Sequence, residues 1–266
     1  MKKLLFNGSG EFRHLWKFIF SLIFIFASIV ILDNLVRYAK ISHEMFNSFS
    51  MGLLLGCLFC LKVVYKADFR KLGMMLNKKN IILLFAGILV PFFVNIQMFV
   101  IDRFIFHHSF SLFLPEFSPV FIFSFISFVI AAAAEETFFR AFLIGYFRDK
   151  FNLIFVFLFS ATLFSMLHAV ASPSFDQNYF IAFLLSGIFY GLLYLLTNSF
   201  YFVLSAHAFH NTFQLYPVNN ANTKVYILNQ VLSISYILLL GYYYRNFSAG
   251  HIKHQEEAAL QTENMN

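Results

Sequence analysis

Glu135-Glu136-Thr137-Phe138-Phe139-Arg140 sets three ionisable side chains inside an otherwise uncharged apolar run. Pro119 to Ala134 carries no charge, and Ala141 to Phe147 continues apolar after Arg140. A charged side chain at the bilayer centre costs about 2.5–3.5 kcal/mol on insertion scales, so three facing lipid would cost about 8–10 kcal/mol. That equals the net stability of a whole domain. The cluster therefore reads as a functional site inside a membrane. Glu136 and Arg140 are four apart, share a helical face and can pair. Glu135 points about 100° away, free to face a cavity.

Two more polar groupings fall on other apolar segments. His168 ends Phe164-Ser165-Met166-Leu167-His168. A turn near Asp149-Lys150 would fold this segment back on the acidic one. Counted from that turn, Glu135 and His168 lie roughly 21 and 27 Å deep, about one helical turn apart, and tilt can close the gap. His207-Ala208-Phe209-His210-Asn211 puts His207 and Asn211 one turn apart, with His210 sharing the face. Such a His/Asn pair suits polarising a carbonyl or completing a metal site. Each group also has a plainer reading, as a packing or interfacial residue.

These residues need helices to hold them at depth. The chain has 266 residues, 60% hydrophobic and 12% charged, against about 45–50% and about 25% in soluble domains. It reads as all-α, a polytopic integral membrane bundle of about eight transmembrane helices. Spans of about 20 residues fall near 18–35, 49–65, 81–101, 119–147, 151–171, 179–197, 199–216 and 225–244. The 41 Phe residues suit lipid-facing surfaces and say little about chemistry. Residues 1–247 form one membrane-embedded domain and 248–266 a polar tail, with no internal repeat. Ser118 is placed to cap the fourth helix, with Pro119 at its first position. At roughly 43 Å that helix overshoots the bilayer or tilts. Residues 104–117, with His107, His108 and Pro115, read as an interfacial or re-entrant stretch.

Basic residues crowd the loops of one side: Lys2, Lys3, Arg13 and Lys17; Lys62 to Lys79; Arg148 and Lys150; Arg245 and Lys253. Arg37, Lys40, Arg103 and Lys224 are sparser on the other, so both termini are expected in the cytoplasm. The same spacing sets topology and excludes a nucleic-acid patch. The first apolar run reads as a retained helix rather than a signal peptide, and the last four residues carry no lipidation box. Cys57 and Cys60, a lone C-x-x-C in apolar sequence, read as packing residues, as do Pro91, the Ala131–Ala134 run and the Gly187/Gly191 pair.

In order along the chain, Glu135-Glu136…Arg140, Phe164…His168 and His207…Asn211 match E-E-x-x-x-R, F-x-x-x-H and H-x-x-x-N/D. The set resembles the CAAX-protease and bacteriocin-processing family of intramembrane proteases, which includes the type II CAAX prenyl endopeptidases. The resemblance spans about 119–216 and implies an eight-helix protease. It implies that Glu135 and His168 activate a water, that His207 and Asn211 stabilise the oxyanion, and that Glu136 with Arg140 supports them. His210 lies outside the motif. A divalent metal such as zinc could be held by Glu135, His168 and His207, although the absence of H-E-x-x-H argues against a tight site. The implied partners are the lipid bilayer and a membrane-associated peptide or protein, prenylated or not. A bacterial plasma membrane suits the Phe- and Lys-rich composition. Two other readings stand beside the protease: a non-catalytic bacteriocin-immunity or scaffold protein, and a small proton-coupled transporter. Oligomeric state and substrate identity are not specified.

Overall fold

Asparagine and serine side chains open five of the eight described helices of this chain. The computed structural model describes residues 13–41, 47–107, 118–171, 177–213 and 223–242. Within them Asn47, Asn77, Ser118, Asn152 and Ser199 each accept the backbone N–H three residues on, at 2.9 to 3.4 Å. Each satisfies a donor that a helix start would otherwise leave without a partner. In chain order the helices are α1 (His14–Tyr38), α2 (Ser48–Val64), α3 (Lys78–Phe104) and α4 (Pro119–Tyr146). They continue as α5 (Leu153–Ala171), α6 (Gln177–Thr197), α7 (Phe200–Thr212) and α8 (Thr223–Tyr242). No strand occurs among the described residues.

Six of these helices are long and apolar enough to cross a bilayer; α2 and α7 are shorter. The expected segments thus appear in order, with ends shifted by a few residues. Ser118 caps α4 as its sequence suggests, and Pro119 takes the first helical position. Most of the stretch 104–117, Lys2, Lys3, Arg245, Lys253 and the tail 248–266 lie outside the described residues. Large apolar side chains such as Phe26, Phe85, Phe93 and Phe123 point outward. An apolar surface that extensive belongs in lipid, because soluble proteins expose only small apolar patches. The protein is an integral membrane protein.

The centre of the bundle departs from the regular helix expected there. After Glu136, α4 changes from α-helical to π-helical over Thr137–Tyr146. Every residue from Glu136 to Gly145 is buried. A helix covered on all sides is a core helix. Phe138, Phe142 and Phe147 meet Cys57, Cys60 and Leu61 of α2, Tyr65 just beyond its end and Phe18 of α1. Phe142 and Phe147 each pack edge-on to Tyr65, at 5.5 and 5.8 Å between ring centroids. Cys57 and Cys60 are free thiols within this cluster, in keeping with a packing role.

Around this rod, two contacts place the elements that carry histidines. The turn at 148–150 returns the chain as α5, which packs on α6 through Gly187 and Gly191. Asn95 of α3 donates from Nδ2 to the Pro91 carbonyl at 2.8 Å and to the Phe213 carbonyl at 3.2 Å, tying α3 to the end of α7. A Cβ added at Gly187 would lie 2.9 Å from the Ala161 Cα and 3.0 Å from its carbonyl oxygen. Backbone cannot step aside as a side chain can. Gly187→Ala is expected to lower stability by about 1–3 kcal/mol, the usual cost of overpacking. Thermal unfolding in detergent micelles reads this out, and an unchanged midpoint would show that the two helices part freely.

Candidate active site

Glu136 is fully buried, and an unpaired carboxylate in such surroundings would cost several kcal/mol. Both its oxygens have cationic or N–H neighbours. Arg140 Nε lies 3.1 Å from Oε2, the i,i+4 pair expected from spacing. The contact is close but poorly aligned, so it acts more through charge than as a hydrogen bond. On the other oxygen, His207 Nδ1 lies at 2.7 Å from Oε1. That is a short, charge-assisted hydrogen bond.

Arg140 is itself enclosed. Its guanidinium carbon lies 5.7, 5.0 and 5.5 Å from the ring centroids of Phe139, Phe164 and Tyr190, within cation–π range. Nη2 donates to the Gly187 carbonyl at 3.4 Å. Composition gave no hint that some of the many aromatic rings would serve a buried cation.

Glu135 faces a different neighbourhood. It is 22% exposed, and its Oε2 lies 3.7 Å from His168 Nε2 and 3.8 Å from His207 Nε2. The other nitrogen of each ring fixes the tautomer. His168 Nδ1 sits 2.9 Å from the Phe164 carbonyl, which can only accept, so that nitrogen carries the proton. His207 Nδ1 is likewise the donor towards the Glu136 carboxylate. In their neutral forms both rings then present a bare Nε2 towards Glu135. Ring stacking holds them there: His168 on Phe183 at 4.6 Å, and His207 on Tyr190 at 4.7 Å between centroids.

His168, His207 and Asn211 line a cavity of about 420 Å³ bounded by α4, α5, α6, α7 and α8. The structure thus gathers Glu135, Glu136, Arg140, His168 and His207 into one contact network, with Asn211 beside it on the cavity wall. His210, set aside in sequence, lines the same cavity, with Ser186 and Tyr226. Tyr190 and Phe183 went unnoticed in sequence because nothing in an apolar helix distinguishes a ring that stacks on histidine from one that faces lipid.

Residues 117–213 match the family model described as Rce1-like, type II CAAX prenyl endopeptidase Rce1-like. Over this segment the chain is similar to the CAAX-protease family. It is a family of proteases, and the matched CAAX-protease segment runs through α4, α5, α6 and α7 and contains every residue of the network. Curated proteins give no match to the chain.

Zinc at about 2.0–2.1 Å from tetrahedral ligands brings those ligands to about 3.3 Å of one another. Glu135 Oε2 stands 3.7 and 3.8 Å from the two Nε2 atoms, somewhat wider. No group of three or more His, Cys, Asp or Glu among the described residues is placed to hold a metal ion. No step below is routed through one.

Arg140→Ala is expected to destabilise the protein by about 3–5 kcal/mol, the cost of stranding a buried partner charge. Arg140→Lys should recover part of this, because an ammonium restores charge but not the planar stack on the rings. Detergent-solubilised yield and thermal midpoint check both. A wild-type midpoint in Arg140→Ala would mean that Glu136 needs only His207.

Proposed function

We propose that the protein is an intramembrane endopeptidase that hydrolyses a peptide bond of a membrane-associated protein or peptide, of CAAX type or a leader or signalling peptide. The observation that supports this most directly is the meeting of Glu135 Oε2 with two histidine nitrogens whose tautomers are fixed from behind. The Glu135 carboxylate and the bare Nε2 of His168 are two acceptors facing one another. Water is the small molecule suited to lie between them, because its two O–H groups point at acceptors and its lone pair stays free.

In this reading Glu135, assisted by His168, takes a proton as the water oxygen bonds to the substrate carbonyl carbon. The carbonyl electrons move to oxygen. Asn211 donates to that oxyanion from its amide, and His207 does so as an imidazolium balanced by Glu136. Glu135 then returns the proton to the amide nitrogen as the C–N bond breaks. Water is consumed, and an acid and an amine are released. Glu136 and Arg140 touch no substrate; they hold the His207 ring. The lipid bilayer presents the substrate, and nucleic acid has no part. Should a divalent ion be needed, Glu135, His168 and His207 are the residues it would draw on.

The test is mass-spectrometric analysis of a membrane-presented peptide pool incubated with wild-type, Glu135→Ala and His168→Ala protein, with and without chelator. General acid–base groups contribute about 10²–10⁴-fold, so each variant should lose at least that much cleavage while keeping its thermal midpoint. Wild-type turnover in either variant removes the assigned water activator. Loss of wild-type cleavage on chelation would bring a metal into the mechanism. A pool left intact by all three would favour a non-catalytic immunity or scaffold role.

A further inference from the structure

Alongside His168 and His207, the cavity has a wall of which the hydrolytic chemistry uses Asn211 alone. Thr223 and Tyr226 of α8, Ser186 of α6 and His210 of α7 line it, and Asn211 adjoins them. None of the residues lining the cavity is Asp, Glu, Lys or Arg. Among the described residues that line it, the ionisable groups of ordinary pH range are the histidines.

This wall is held rigidly from behind. Ser186 donates from its hydroxyl to the Ala182 carbonyl of its own helix at 3.0 Å. Its proton thus spent, Ser186 Oγ accepts from the Tyr226 hydroxyl, 2.8 Å away. Gln230, buried one turn further along α8, bonds to the same phenol, and its nitrogen is the atom that can donate. Three residues on two helices therefore lock the Tyr226 ring. His210, 9% exposed, sits edge-on to that ring with 6.4 Å between centroids. What remains for a ligand is the imidazole of His210, the amide of Asn211 and the hydroxyl of Thr223. Each offers both a donor and an acceptor, and none carries a fixed charge.

We infer that the His210–Asn211–Thr223 wall is a recognition subsite for an uncharged hydrogen-bonding group of the substrate, such as a peptide amide or a Gln, Asn, Ser or Thr side chain. The inference rests on the protease reading for the identity of that substrate, but the binding preference does not depend on turnover. An amide finds partners for its N–H and its C=O here. A carboxylate or ammonium held against these three groups leaves water and meets no opposite charge on them, a cost of several kcal/mol. A purely apolar side chain strands the buried polar groups instead.

The experiment uses peptide triplets in liposomes, identical but for Gln, Glu or Leu at each position around the cleaved bond. Retention is measured on full-length Glu135→Gln protein, which binds without turnover, and on the Glu135→Gln/His210→Leu double variant. The expected result is at least tenfold stronger retention of the Gln peptide than of the Glu peptide at one position. In the double variant the Leu peptide should overtake Gln at that same position. Tyr226→Phe, which keeps the ring but removes the hydroxyl joining Ser186 to Gln230, should blur the preference by a smaller factor. Equal retention of Gln and Glu peptides at every position, or a preference untouched by His210→Leu in a protein with an unshifted thermal midpoint, overturns the subsite. Absence of cleavage by wild type with the Gln preference intact overturns the protease reading alone.

Discussion

A carboxylate sealed inside a membrane protein has to be neutralised on the spot, and in this bundle Glu136 imposes that demand. With no exposed surface, it recruits Arg140 from its own helix and His207 from α7. Arg140 in turn needs surroundings that tolerate a cation without water, which Phe139, Phe164 and Tyr190 provide from three helices. Tyr190 then stacks on His207 and Phe164 lies against His168. One buried charge thus dictates where four helices meet and which way two imidazoles face.

The second glutamate gains its chemistry by being adjacent yet different. A step of one residue turns Glu135 away from the arginine and towards His168 and His207, where it keeps some exposure. The two carboxylates share the same stretch of helix and divide the work: Glu136 fixes geometry, and in the proposed reaction Glu135 meets the water. Two chemically identical side chains acquire distinct roles because a helix rotates each successive residue by about 100°.

Much of this arrangement was legible in the sequence. Hydropathy located all eight helices of the described residues, Ser118 and Pro119 marked the start of α4, and spacing paired Glu136 with Arg140. The depth count from the Asp149-Lys150 turn brought His168 close to Glu135, and the structure has them in contact. Other features had no local signal. The contact of His207 Nδ1 with Glu136 depends on how α7 packs against α4, which no spacing within one helix encodes. The π-helical turn geometry of Thr137–Tyr146 arises from packing on all sides, and its sequence looks like any apolar helix. Thr223, Tyr226 and Gln230 are spread through an apolar span and look incidental until α8 is laid against α6 and α7. Aromatic rings were the hardest to sort, since stacking on a histidine and facing lipid draw on the same residue type.

The buried run from Glu136 to Gly145 leaves no free face on that part of α4. A rod gripped all round cannot turn or slide without disturbing every neighbour at once, and segments of this kind open last in a folded protein. Glu136 is therefore mounted on a segment with no free face, like a fixed anvil, and Glu135 sits at its edge. Helix α8 differs: it turns Leu238, Leu239 and Leu240 outward and is held from one side. On the proposed function, a polypeptide entering the cavity would meet its more yielding boundary at α8 and its fixed one at α4.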